Sequence, residues 1–330
     1  MIGRCSYRAA PYSLGRLLRQ NARKFAATFG LLAATGCVTP GQNDAFYDNT
    51  ISIDALRPEV IRSAKSYKIE AHYQKLQDYL LVRGLLRKDG GGVDTPFSTE
   101  DLVQNFVRIA FFDEYDTNGG LQAVNNKASP LRRWDGPIRM SIEFGDTVSA
   151  QIRKDDLPRI KAYAKRLERV SRKRINLTNR HANYHVLVLN EDDRRQIGPR
   201  LRDMIPGASD GLIRTVENLP KTTLCLVLAL SEAQSTGGYT KAVAIIRAEH
   251  PDLLRWSCVH EEVAQGLGLA NDSAAARPSI FNDDEEFALL TSHDELLLRM
   301  LYDPRLKTGM SAQEALPIVR RIAAELTGGT

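Results

Sequence analysis

The polar side chains best suited to chemistry form one run, from His260 to Asp272, inside an otherwise apolar stretch. His260 and Glu261 begin the H-E-x-x-H pattern of zinc enzymes, but Ala264 occupies the place of the second histidine. Two histidines therefore do not share a helical face. On a helix His260 lies about 100° around the axis from Glu261, so we expect His260 to point away from any site that Glu261 helps to form.

A second register begins one residue later, at Glu261. Its spacing resembles the metzincin metalloprotease consensus H-E-x-x-H-x-x-G-x-x-H, with each histidine replaced by another polar residue. The resemblance assigns the three ligand positions to Glu261, Gln265 and Asn271, the general base to Glu262 and the turn to Gly268, with Asp272 beside the last ligand position.

The flanking segments extend this resemblance. Phe281, within residues 278–282, stands where a metzincin has the methionine of its Met-turn, and residues 290–302 resemble the helix that closes such domains. From about Trp134 onward, the order of strands, a long helix and a final edge hairpin is also similar. The resemblance implies a mixed sheet with packed helices.

Most of the chain after the leader is also similar to a bacterial family of exported proteins, domain of unknown function 2927. The matching segments are Arg133–Pro137, His260–Asp272, Pro278–Glu286 and Leu301–Arg305. This resemblance implies export but supplies no activity.

The replaced ligands change the chemistry that such a site can perform. One carboxylate and two amide oxygens suit calcium or magnesium better than zinc, so we expect no cofactor, and calcium rather than zinc if a metal binds. Without zinc, Glu262 alone cannot activate water for peptide hydrolysis. The sequence thus favours a non-catalytic binding or scaffold protein. The alternative is a divergent metal-dependent hydrolase, acting on envelope proteins or peptidoglycan with Glu262 as base.

A simpler interpretation is that the run only ends a helix. Gly266, Gly268, Asn271 and Asp272 are typical of helix ends and turns. This explains the second half of the run, but not the polar residues at 261, 262 and 265 on an otherwise apolar helix.

Residues 1–36 are typical of an export signal. They contain six Lys and Arg and no acid, with an apolar stretch at 25–34 and small residues before Cys37. We expect Cys37 to be lipidated and residues 37–50 to be a tether, which predicts an anchored, periplasm-facing envelope protein with an envelope protein or peptide as partner. The alternative is a plain signal peptide in which Cys37 is incidental.

The charge of the chain argues against nucleic acid as a partner. Its 45 Lys and Arg and 40 Asp and Glu give a net charge of +5, but without residues 1–36 the balance is 39 to 40. The basic character therefore belongs to the leader, and the rest shows no basic stripe with interleaved aromatic residues.

The order of the elements predicts an α+β fold, in which a mainly helical portion at 51–130 precedes a metzincin-like domain at 131–330. Capping boxes at Ser98 and Thr291 mark two helix starts, while residues 116–128 resemble a loop. Cys225 and Cys258 remain after the leader cysteines are set aside. In an oxidising compartment they can form a disulfide, or they can be two buried thiols.

Overall fold

The computed structural model describes residues 61–116, 122–231, 238–282 and 284–328, which all belong to one compact unit. The predicted signal peptide, Cys37, the tether and residues 51–60 lie outside the described residues, so these assignments stay predictions. In the part of the chain that is described, no helix is both long enough and apolar enough to cross a bilayer.

A five-stranded mixed sheet lies at the centre and confirms the α+β class. Its strands, in spatial order, are β4 (Ile175–Leu177), β3 (Ile138–Phe144), β5 (Tyr184–Leu189), β7 (Tyr239–Arg247) and β6 (Cys225–Ser231). β6 pairs antiparallel with β7 and forms one edge, whereas the other pairs are parallel. All six residues of the central strand β5 are buried, as expected for a parallel strand covered on both faces.

A two-stranded sheet precedes the central one. It consists of β1 (Phe112–Asp116) and β2 (Gln122–Ala128), which pair antiparallel. The expectation of a loop is therefore wrong for Asp116 and for residues 122–128, while residues 117–121 lie outside the described residues. The sequence of β2, Gln-Ala-Val-Asn-Asn-Lys-Ala, is mostly polar and lacks the alternation of apolar residues that identifies a half-buried strand.

The helices confirm both predicted capping boxes, at Ser98 and at Thr291. Residues 191–204 contain two short helices. In chain order the helices are α1 (Ala64–Val82), α2 (Thr99–Ala110), α3 (Ala150–Ser171), α4 (Glu191–Arg194), α5 (Gly198–Met204), α6 (Asp210–Glu217), α7 (Asp252–Gln265), α8 (Ser292–Leu301) and α9 (Ala312–Thr327).

The two faces of the sheet build two separate cores. On one face, side chains of β3, β5 and β7 pack with α2, α3, α7, α8 and α9 in the larger core. On the other face, Leu187, Leu226, Leu228 and Ile245 pack under α5 and α6. The predicted site residues of α7 therefore lie on the larger-core side of the sheet, next to the antiparallel edge.

Helix α1 covers a buried charged cluster at the carboxyl ends of β5 and β7. Glu191 is 3% exposed and bonds to Arg194 and, at 2.7 Å, to Lys65 of α1, while Arg247 lies 3.8 Å away. Ser66 of α1 donates to Glu249 at 2.7 Å. Polar contacts therefore join α1 to this cluster, beside the apolar packing of Ile69, Tyr73 and Leu80.

Candidate functional site

Helix α7 carries its polar residues into the protein interior. His260 and Glu262 are each 5% exposed and Gln265 is 4% exposed, while Glu261 is half-buried. Neither Glu261 nor Glu262 lacks an interaction partner. Because buried polar groups are costly unless they are hydrogen-bonded, this helix needs specific partners for its side chains and for its carbonyl end.

Aromatic side chains satisfy the carbonyls at the carboxyl end of α7. The Tyr163 hydroxyl donates to His260 O at 2.7 Å, and the Tyr184 hydroxyl donates to Glu262 O at 3.1 Å and to Val263 O at 3.0 Å. Just beyond, the Trp134 indole donates to Gly266 O and the Tyr302 hydroxyl donates to Leu267 O, each at 2.8 Å. Burial, and then the charge of Glu262, raise the pKa of Tyr184 well above its usual value, so this hydroxyl keeps its proton. These bonds fix the position of α7.

This arrangement gives a role to two segments that the sequence singled out. Trp134 comes from the Arg133–Pro137 segment and Tyr302 from the Leu301–Arg305 segment. The Arg133 guanidinium joins the two segments, because it donates to Leu306 O at 2.7 Å and also to Leu301 O. Both segments therefore support the end of the site helix.

The structure gives His260 a structural role. Its ring stacks on Tyr163 with 3.9 Å between ring centroids, and its Nδ1 accepts a bond from Leu290 N at 2.8 Å. Burial, followed by the charges of Arg166 and Arg159, lowers the pKa of His260 to about 3. The ring is thus neutral and held by α3 and by the segment before α8.

Two of the three residues at the predicted ligand positions donate hydrogen bonds through their side-chain nitrogens. Gln265 donates through Nε2 to Asp272 Oδ1 at 2.9 Å. Asn271 donates through Nδ2 to Arg108 O at 3.0 Å and through its backbone N–H to Ile109 O at 3.2 Å, so it fastens the loop to the end of α2. The amide groups of both residues are therefore engaged in contacts within the protein.

Glu261 and Glu262, in contrast, come together with a sulfur atom. The structure joins Cys225 of β6 to Cys258 of α7 in a disulfide. Ligand atoms of Cys225, Glu261 and Glu262 all lie within 4.8 Å of one another, in the one group of this kind among the described residues. Because a disulfide sulfur is not a thiolate, only the two carboxylates are available to a cation in this state, and such oxygens suit calcium rather than zinc.

Phe281 lies in a loop that several hydrogen bonds hold in place. Its side chain is fully buried, and its carbonyl accepts a bond from Ser273 N at 2.9 Å, directly after Asp272. The buried Asp294 carboxylate holds the loop, accepting from Ser279 Oγ at 2.5 Å and Ile280 N at 3.1 Å. The loop therefore supports the end of the polar run, with an apolar residue facing the core.

A second polar cluster was not predicted from the sequence. Ser141 and His185 are register partners on β3 and β5, with 2.8 Å between Ser141 Oγ and His185 Nδ1. Glu143 Oε1 lies 3.2 Å from the same nitrogen. Since serine and carboxylate share one ring nitrogen, the cluster lacks the geometry of a catalytic triad. Its residues are distant in sequence and come together only because β3 pairs with β5.

The Glu143 carboxyl offers a direct check on this second cluster. Its pKa is lowered to about 2, first by the bond to His185 and then by Arg200, whose Nη2 donates to it at 2.8 Å. A depressed carboxyl pKa stabilises the fold above about pH 4.5, and this stabilisation is lost as the pH falls through 2.

We therefore expect His185→Ala to raise the pKa of Glu143 toward its usual value, as measured by NMR titration of the side-chain carboxyl carbon. Arg200→Ala should also raise it, because the bond from Arg200 and its charge both lower this pKa. An unchanged Glu143 pKa in His185→Ala would contradict the arrangement.

Comparison with known proteins identifies a family. The model of the family described as "Protein of unknown function (DUF2927)" matches residues 99–321, about two thirds of the chain, so the chain belongs to this family. No curated protein matches the chain, and no solved structure matches it either. The similarity of residues 261–272 to metzincins therefore stays a hypothesis.

Proposed function

We propose that this member of the DUF2927 family is a non-catalytic binding protein of the cell envelope, anchored through a lipid on Cys37. Its ligand is an extended polypeptide segment of an envelope partner, which adds as a strand to the outer edge of β6. The observation that carries the proposal is that β6 is an edge strand beside the polar run of α7. Exposed strand edges are common sites of peptide addition.

The two faces of β6 favour this mode of binding. Leu226 and Leu228 are buried under α5 and α6, which fixes the strand in the sheet. Cys225, Val227 and Ala229 are only partly buried and pack on the larger-core side, where α7 lies. The disulfide ties this edge directly to α7. A strand added here would therefore have backbone partners on an already ordered edge.

Charge gives the proposed site a preference. Glu261 and Glu262 lie next to Cys225 at one end of β6. A bound segment with Lys or Arg near this end would approach the half-buried Glu261, which lies beside the buried Glu262, whereas an acidic segment would be repelled. We therefore expect the ligand to be an extended segment that alternates β-branched and basic residues.

The proposal assigns no catalysis, because side chains at the metzincin ligand positions form hydrogen bonds within the protein. Gln265 bonds to Asp272 and Asn271 to the end of α2, so two of the three metzincin ligand positions support the protein itself. The metzincin resemblance enters the proposal only in this reduced form, as a domain that has the metzincin spacing at residues 261–272 without its histidines.

Peptide titrations with the full-length chain test the proposal. The probe is a labelled ten-residue Val/Lys peptide, compared with a copy that carries N-methyl groups on alternate backbone amides and a copy with Glu in place of Lys. We expect the unmodified peptide to bind at least about tenfold more tightly than either copy, which corresponds to about 1.4 kcal/mol. Fluorescence anisotropy measures the three dissociation constants.

Matched variants at the two sheet edges locate the binding. Ala229→Arg places a cation on β6 and should weaken binding of the Val/Lys peptide, whereas Asn176→Arg on the opposite edge strand β4 should not. Equal binding by both variants, or equal binding of the N-methylated peptide, would rule out strand addition at β6.

A divergent hydrolase is the second candidate, and the buried Glu262 beside Glu261 is the observation that favours it. If Glu262 acts as a base, Glu262→Gln should abolish turnover of a casein or peptidoglycan substrate while the melting temperature changes little. If Glu262 is only part of the polar core, the wild-type chain has no turnover to lose and the variant changes stability alone. Parallel activity and thermal melting measurements separate these outcomes.

A further inference from the structure

Five potential metal-ligating side chains lie together at the disulfide, its two cysteines included. Cys258, Glu261 and Glu262 follow one another along α7, and Cys225 approaches from β6. The fifth is His250, which is 2% exposed and whose Nδ1 lies 3.6 Å from Cys258 Sγ. Such a concentration of sulfur and carboxylate groups is what borderline-soft metal ions require, but in the oxidised protein both sulfurs are bonded to each other.

We propose that reduction of the Cys225–Cys258 disulfide creates a metal site of the zinc class, with the Cys225 thiolate and the Glu261 and Glu262 carboxylates as ligands. In the oxidised state the same place offers only two carboxylates, which suit a hard cation and bind zinc weakly. The donor set differs from the metzincin positions, because it uses Cys225 and Glu262 and does not use Gln265 or Asn271. The proposal does not depend on peptide binding at β6.

The ligand atoms need little movement to form the site. The three side chains already place one ligand atom each within 4.8 Å of the others. Their elements are fixed, since β6 is hydrogen-bonded to β7 and aromatic donors hold the end of α7. Rotation about side-chain bonds is therefore enough to bring the atoms to the separations of a tetrahedral site.

The reductant is a dithiol, and burial decides which sulfur it attacks. Cys225 is half-buried, whereas Cys258 is 2% exposed, so a dithiol thiolate reaches Cys225 Sγ. The Cys225–Cys258 bond breaks, a mixed disulfide forms at Cys225, and Cys258 leaves as a thiolate that is then protonated, with His250 Nδ1 3.6 Å from its sulfur. The second thiol of the dithiol then closes its own disulfide and releases Cys225. Two electrons and two protons pass to the cysteine pair, and metal binding displaces the proton of Cys225 to solvent.

Cobalt and zinc titrations of the full-length chain test the site. Cys5→Ser and Cys37→Ser form the background, so that Cys225 and Cys258 are the remaining sulfur ligands. After reduction with a dithiol and its removal without air, we expect one equivalent of Co²⁺ to give a thiolate-to-metal charge-transfer band that one equivalent of zinc removes. The oxidised chain should give no such band, and its zinc affinity should be at least about tenfold lower.

Carboxylate variants distinguish this site from binding by the cysteine pair alone. Glu261→Gln and Glu262→Gln should each weaken metal binding to the reduced chain at least about tenfold, whereas the exposed Glu325→Gln should bind as the background does. Three results would overturn the proposal: no charge-transfer band in the reduced chain, unchanged affinity in both carboxylate variants, or circular dichroism showing that the reduced chain is unfolded.

Discussion

Replacing Gly268 with alanine is expected to lower the free energy of unfolding by about 3 kcal/mol, from backbone strain and a steric overlap together. Gly268 has a φ of +130°, which residues with a Cβ rarely adopt. A Cβ at this position would also overlap the Arg132 carbonyl oxygen and lie 3.1 Å from Leu301 Cδ2. The backbone of the segment before Trp134 cannot give way as a flexible side chain would.

Urea unfolding followed by circular dichroism measures this effect, and Gly84→Ala is its control. Gly84 also has a positive φ, of +73°, but a Cβ there would meet no neighbouring atom within 4 Å, so alanine should cost only about 1 kcal/mol. If both variants lose the same stability, the close approach of Arg132 to Gly268 is not an energetic constraint on the site.

Replacing Glu191 with glutamine is expected to cost about 3–5 kcal/mol, because the change leaves buried guanidinium groups without their counter-ion. Burial raises the pKa of Glu191, but the bonds from Lys65 and Arg195 and the charge of Arg194 outweigh burial and lower this pKa to about 2. The carboxylate therefore stabilises the fold above about pH 4.5, and the stabilisation is lost as the pH falls through 2.

An exposed ion pair provides the comparison for Glu191. Asp210 bonds to Arg202 at 2.8 Å, and these side chains are 69% and 53% exposed. Asp210→Asn should therefore cost at most about 1 kcal/mol. Urea unfolding at pH 7 compares the two variants, and a Glu191→Gln loss no larger than that of Asp210→Asn would mean that solvent or neighbouring groups compensate the buried charges.

Local patterns predicted much of the fold. Side-chain capping signals placed the starts of α2 and α8, and the order of the elements indicated the α+β class. These features depend on residues that are close in sequence. The sequence did not predict β2 or the short strand β4. Both have too few apolar residues for a periodic signal, and their structure depends on the strands with which they pair.

The candidate site was predictable only in its composition. Helical spacing placed the polar residues together on α7, and in the structure the His260 ring contacts Tyr163 and Leu290. Spacing could not show that Asn271 would bond to α2, since Arg108 is distant in sequence. Spacing also could not decide whether Cys225 pairs with Cys258, and it could not predict the contact between Ser141 and His185. Both contacts depend on the order of the strands in the sheet.

The aromatic support of α7 also makes the helix visible by optical spectroscopy. The chain has two tryptophans, and both lie at this helix. Trp256 is within α7, with its ring centroid 5.2 Å from that of His260, and the Trp134 indole donates to Gly266 O. Intrinsic tryptophan emission therefore originates from the two ends of the site helix, so a shift in emission reports movement of α7 without any added label.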